Sequence, residues 1–183
     1  AGNENWNVYH HSIGAGSKLN LDLDDAKGTS SVFFNDTEPT ATVFTIGTHN
    51  SVNENNTYFI SYNWTAIPGY SHFNSYEGNN ASGYPNAEGP FVYTGFRARF
   101  ILFKCTSQSE SWRLMDTKRD TNNYVDVFFK SSGNDAESSG SNFEVDILSN
   151  GFKLRNNNGG FNASADYVFA SFAEHPFKTT RAR

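Results

Sequence analysis

The chain states one pattern twice, about 108 residues apart, and that repeat limits the folds open to it. From Trp6 the order is W-N-V-Y, then L-N-L-D-L from Leu19, V-F-T-I-G from Val43, Y-F-I-S-Y from Tyr58, and Pro68. From Trp112 it is W-R-L-M-D, then V-D-V-F-F from Val125, G-F-K-L-R from Gly151, Y-V-F-A-S-F from Tyr167, and Pro176. Trp6 to Trp112 is 106 positions, Phe44 to Phe152 is 108, Tyr58 to Tyr167 is 109, and Pro68 to Pro176 is 108. A period this steady marks a duplicated structural unit. The second copy has a long run-up, Gly89 to Cys105, whereas the first has five residues ahead of Trp6, so the first copy is expected to lack its opening strands.

Strand periodicity runs throughout. Leu19, Leu21 and Leu23 alternate with Asn20, Asp22 and Asp24, and Phe143, Val145 and Ile147 alternate with Glu144 and Asp146, which puts one face on a core and the other in water. Phe100 to Phe103 and Tyr167 to Phe172 are continuous apolar runs of strand length, the pattern of central strands covered on both faces. Gly- and Asn-rich clusters between them supply turns, and no window carries a capped helical pattern. The expected fold class is all-β: an antiparallel β-sandwich of jelly-roll type, duplicated, with the first copy truncated at its N-terminus. The expected units are 1–68, a junction at 69–88, and 89–183. The junction holds Tyr70, Phe73, Tyr76 and Tyr84, and G-Y-S-H-F-N-S-Y-E-G-N within it is expected to give a strand to the second unit.

Composition excludes several functions. The net charge of −5 gives no basic track for nucleic acid, with only Lys178 to Arg183 locally basic. A single cysteine, Cys105, permits no internal disulfide and reads as a buried, inert thiol. No apolar stretch is long enough for a membrane helix. Aromatic residues make up 16% of the chain, enough for a core in an otherwise polar sequence of mean hydropathy −0.61.

Enzyme chemistry finds little support. E-V-D-I-L-S at Glu144 to Ser149 resembles the E-x-D-x-x-E strand of retaining glycosidases, but Ser149 stands where the proton donor would be, so Glu144 and Asp146 read as a solvated strand face. His10, His11, His49, His72 and His175 show no metal-ligand spacing, and the adjacent His10 and His11 should point to opposite faces of a strand end. The acidic run Asp22, Asp24 and Asp25 offers oxygens to calcium without the spacing of a dedicated loop, so no cofactor is expected and calcium is the one alternative. There is no nucleophile elbow and no phosphate loop. The chain reads as a non-enzyme.

Sugar rings stack on Tyr and Trp faces while Asn and Asp take the hydroxyls. Trp64, Tyr70, Tyr76 and Tyr84, in or near the Asn-rich junction, are therefore the candidate glycan-binding residues, weighed against a role in packing the joint. Trp6 and Trp112, at equivalent repeat positions, read as core. Five N-x-S/T sequons stand at Asn35, Asn55, Asn63, Asn80 and Asn162.

W-N-V-Y-H-H-S-I-G at Trp6, F-F-N-D-T-E-P-T at Phe33, V-F-T-I-G-T at Val43, G-P-F-V-Y-T-G-F-R at Gly89, L-S-N-G-F-K-L-R at Leu148 and F-A-E-H-P-F-K at Phe172 together resemble a repeated domain of unknown function. That domain occurs in tail and other virion-associated proteins of tailed bacteriophages and is related to concanavalin-like and laminin-G-like sandwiches. The resemblance covers nearly the whole chain and implies a C-terminal fragment of a longer phage structural protein on the virion surface, outside the cell. It implies other virion subunits as partners, a homo-oligomer, and a face for host-surface glycan or receptor. It brings no catalytic residue. A secreted bacterial lectin-like module is the alternative, and a concanavalin-fold glycosidase a third.

Overall fold

The apolar runs that alternate least become the middle of the molecule. The computed structural model describes residues 4–176, so the basic tail at 178–183 lies outside the described residues. Its strands are β1 (Asn7–Val8), β2 (Ser17–Asn20), β3 (Gly28–Thr29), β4 (Ser71–Glu77), β5 (Phe91–Tyr93), β6 (Ala98–Cys105), β7 (Arg113–Asp116), β8 (Phe129–Lys130), β9 (Val145–Leu148), β10 (Gly151–Leu154) and β11 (Asp166–Ala173). One turn of helix, α1 (Asn50–Asn53), is the sole α-helix among the described residues. The fold is all-β.

Three antiparallel sheets form, in the orders β1-β2-β3, β5-β10-β9 and β4-β11-β6-β7-β8. The five-stranded sheet and the β5-β10-β9 sheet face each other across one core, as in a β-sandwich. Ile101 and Phe103 of β6, Met115 of β7 and Phe169 of β11 meet Val92 of β5, Ile147 of β9, and Phe152 and Leu154 of β10. Phe103 sits edge-on to Phe152 and Phe161, each at 5.3 Å between ring centres. Edge-to-face rings at this spacing add attraction beyond the buried area.

The opposite face of the five-stranded sheet is covered too. Because strand side chains alternate, Leu102 of β6 and Val168 of β11 point away from the sandwich core, where they pack with Trp112 against Leu19 and the half-buried Val8 and Ile13. The small first sheet therefore lies on the back of the large one. This explains why β6 and β11 are apolar at nearly every position.

Two polar devices fasten that layer. The Trp112 indole N–H donates to the Asn20 carbonyl at 2.7 Å. Lys104 is fully buried, and its ammonium donates to the carbonyls of Asp24 at 3.1 Å and Glu110 at 2.5 Å, with burial lowering its pKa. A buried ammonium is tolerable only when its protons are taken up in this way. Cys105 is also fully buried.

The junction's strand is β4, paired along its whole length with β11, from Glu77 opposite Asp166 to Ser71 opposite Phe172. It thus extends the large sheet and pairs with none of β1, β2 and β3.

The expected strands at Val43 and Tyr58 do not form. The V-F-T-I-G segment is held at its end, where the Gly47 N–H reaches the Phe33 carbonyl at 2.7 Å. A Cβ on Gly47 would lie 2.1 Å from the Val32 carbonyl oxygen, so only glycine allows this approach. Val43, Phe44 and Ile46 remain exposed, as do Tyr58, Phe59, Ile60, Tyr62 and Trp64. Residues 58–64 make no backbone hydrogen bond to any described residue. Trp6 is another correction. It is 51% exposed, whereas Trp112 is 3% exposed, because no second layer covers Trp6.

Candidate binding surface

Aromatic residues two apart on an extended chain project to the same side. Tyr62 and Trp64 do so, their rings 6.2 Å apart and 19° from parallel. Trp6, from the segment leading into β1, continues the row, 6.2 Å from Tyr62 at 22°. The three side chains are 51%, 63% and 66% exposed for Trp6, Tyr62 and Trp64, so the row stands in water. Asn63 and Ser61 occupy the alternate positions and bond to each other, the Asn63 amide donating to the Ser61 hydroxyl at 2.6 Å. A row of near-parallel exposed rings can stack on the apolar faces of sugars.

Of the four candidate aromatic residues, only Trp64 belongs to this row. Tyr70 packs edge-on against Phe172 at 6.1 Å. Tyr84 packs on Tyr124 at 4.4 Å and keeps 41% exposure. Tyr76 stacks on Tyr167 at 4.9 Å and 5° and donates its hydroxyl to the Phe161 carbonyl at 2.7 Å, and burial raises its pKa well above the ordinary tyrosine value. It packs the joint. Tyr76→Phe is accordingly expected to cost about 1–2 kcal/mol in chemical denaturation, because it leaves a buried carbonyl unpaired, and to leave any glycan affinity unchanged. Trp6 and Tyr62 escaped the sequence reading, although the spacing Tyr62-Asn63-Trp64 carried the signal.

The carboxylates of the glycosidase-like strand are occupied. Glu144 is buried rather than solvated, with its side chain accepting from the Asn142 N–H at 3.0 Å. Asp146 is ion-paired with Arg155 at 2.7 Å. Ser149 is exposed. The acidic run is engaged in hydrogen bonds: Asp22 accepts from the Trp6 N–H at 3.0 Å, and Asp24 from the Ser111 hydroxyl at 2.8 Å. Hydroxyls of Ser132 and Ser111 hold Asp24 below the usual carboxylate range. No group of three metal-ligating side chains occurs among the described residues.

The histidine pair also departs from expectation. Residues 10–14 turn, with the Ile13 N–H on the His10 carbonyl at 3.0 Å, so the two rings stack at 5.0 Å instead of facing apart. His10 is buried, and its Nε2 lies 3.3 Å from the Phe169 carbonyl. His11 places its Nε2 3.0 Å from the Phe73 carbonyl. Asn162, one of the five sequon asparagines, is fully buried and donates to the Asn156 carbonyl at 2.7 Å, so it cannot carry a glycan in the folded chain.

A cleft of about 280 Å³ opens between Ser12, Ile13 and Lys27 on one side and Ser75, Glu77 and Asp166 on the other. Its charges are mixed, and the aromatic pair in its lining, Tyr76 and Tyr167, is spent on stacking with each other. No helix of the described residues is long and apolar enough to cross a membrane. No curated protein and no solved structure matches the chain. A family model does match, over residues 1–176, and the chain belongs to that family, described as Domain of unknown function (DUF7483).

Proposed function

We propose that the chain is a non-enzymatic structural subunit of a bacteriophage virion, in a tail fibre, appendage or surface decoration, which contacts host-surface glycan through Trp6, Tyr62 and Trp64. The exposed aromatic row carries the adhesive half of this reading. Three large rings left in water cost the free chain the burial energy of its most apolar surface, roughly 25 cal/mol per Å². A ligand that covers them recovers part of it. The virion setting is supported by the motif resemblance at Trp6, Gly89 and Leu148. A single stack is weak, and repetition of the subunit in an assembly multiplies it. A secreted lectin-like module would use the same row and differ only in where it is displayed.

Intrinsic tryptophan fluorescence tests the site, because Trp6 and Trp64 are exposed while Trp112 is buried. Titration with purified bacterial-surface polysaccharides is expected to shift the emission of the exposed pair. Trp64→Ala should weaken binding by about tenfold or more, on the order of 1.4 kcal/mol, without moving the thermal midpoint. Binding that survives the double change Trp6→Ala and Trp64→Ala would remove the row from the reading.

A further inference from the structure

We propose that the side chains of Lys18 and Asn7 join in an isopeptide bond that ties β2 to β1. Asn7 lies directly opposite Asn20 in the β1–β2 ladder, and Lys18, two positions before Asn20, projects from the same face. A side chain as long as lysine reaches such a diagonal neighbour. The Lys18 Nζ lies 3.2 Å from the Asn7 Oδ1 and 2.7 Å from the Asn20 Oδ1, so one amide holds the amine against the other.

The surroundings favour attack of this amine on the Asn7 amide. Nζ sits 4.3 Å above the centre of the buried Phe33 ring, and its hydrogen bonds go to neutral amides instead of a carboxylate. Burial lowers its pKa and outweighs the attraction of Asp25, Asp22 and Glu4. A desolvated lysine holds more of its neutral form, which is the nucleophile. The amide is fixed too. Asn7 Nδ2 donates to the Asn5 carbonyl at 3.2 Å and to the Ser51 hydroxyl at 2.8 Å, which turns the carbonyl side towards Lys18. Reacting groups held in place in this way behave as if at very high concentration.

The reaction exchanges one amide for another. Neutral Nζ adds to the Asn7 Cγ, the Cγ–Nδ2 bond breaks, Nζ loses one proton, and Nδ2 gains one and departs as ammonia. No oxidant or further reactant enters. Ser51 stands where the leaving nitrogen needs its proton: its Oγ touches Nδ2 and lies 2.8 Å from the His49 Nδ1. The His49 ring is seated on Phe33 at 4.5 Å, the same ring that carries the lysine. Delivery of a proton to a leaving group by a positioned side chain is general acid catalysis.

The bond falls where the fold has least to hold it. β1 and β3 are two residues long and β2 four, and ladders this short contribute little stability of their own. Yet this layer covers Trp112, Leu102 and Val168 on the back of the large sheet. A covalent link between Asn7 and Lys18 keeps β1 on β2 when the layer is pulled, and it does not depend on glycan binding.

Tryptic digestion of the denatured natural chain tests the bond, because trypsin cuts after a free lysine and not after an acylated one. The expected product is an uncut peptide of residues 1–27 that lacks the mass of one ammonia. Loss of ammonia by succinimide formation elsewhere would leave Lys18 open to cutting. Lys18→Arg and Asn7→Ala should each restore the full mass and the cut at position 18, and Lys18→Arg keeps the charge, so its circular dichroism should be unchanged. Ser51→Ala should slow bond formation in freshly synthesised chain by about 100-fold or more. A natural chain of full mass that is cut after Lys18, or a loss of ammonia in this peptide that survives Asn7→Ala, overturns the inference. Equal rates with and without the Ser51 hydroxyl overturn its part in the proton transfer.

Discussion

Phe103→Ala is expected to lower the unfolding free energy by about 3–5 kcal/mol in urea titration followed by Trp112 emission. Phe103 is fully buried between Phe152 and Phe161 at the centre of the sandwich, and removing its ring leaves a cavity that two edge-on neighbours cannot close without leaving their own contacts. Domains of this size hold only about 5–15 kcal/mol in total, so the variant should retain a small margin or unfold. Phe59→Ala provides the contrast. That ring is 48% exposed, and its loss should stay within about 0.5 kcal/mol. Equal costs at the two positions would mean that the core is placed wrongly and that 58–64 is packed in solution.

The same comparison shows why the fold was only half legible. Tyr58-Phe59-Ile60-Ser61-Tyr62 and Tyr167-Val168-Phe169-Ala170-Ser171 carry nearly the same strand pattern, yet only the second forms a strand, because strand formation depends on neighbours that the local sequence does not contain. Trp6 and Trp112 differ for the same reason. Trp112 has Leu19 and Val168 against its ring and the Asn20 carbonyl on its indole N–H, while Trp6 meets Tyr62 alone in water. Alternation at Val145 and Ile147 correctly placed a core face, since both are buried. It could not reveal that Arg155 and Asn156 fold back onto the Glu144 carbonyl and bury that residue. Adjacent side chains oppose each other only in a strand, and the turn at 10–14 reverses that rule for His10 and His11.

Acid should loosen the contact between the first sheet's turn and the large sheet, at a pH above that where carboxylates respond. The His10 Nδ1 accepts from the Ser12 N–H at 3.2 Å, so the neutral ring carries its proton on Nε2, which donates to the Phe169 carbonyl at 3.3 Å. A second proton would set two donors against each other at Nδ1. Burial first, and the neighbouring His11 in addition, bring the His10 pKa down from 6.5 to about 4, and burial also lowers that of His72. The unfolded chain takes up its proton near pH 6.5, the folded one near 4, so between these values the unfolded state binds more protons and stability rises with pH. The contribution is complete above 6.5 and is lost progressively as the pH falls towards 4. One proton bound by the unfolded chain alone costs roughly 1.4 kcal/mol for each pH unit crossed, so the loss should be about 2 kcal/mol between pH 7 and 5 and about 3 by pH 4. Glu38, held below its ordinary range by hydrogen bonds from Tyr9 and Ala15, loses its contribution only as the pH falls below 4.5, which leaves the interval from 7 to 5 to the histidines. His10→Gln retains an N–H donor for the Phe169 carbonyl and removes the titration. Urea midpoints measured at pH 7, 6 and 5 should slope for the natural chain and slope less for the variant, in which His72 still contributes. An equal slope in both would place the acid response elsewhere.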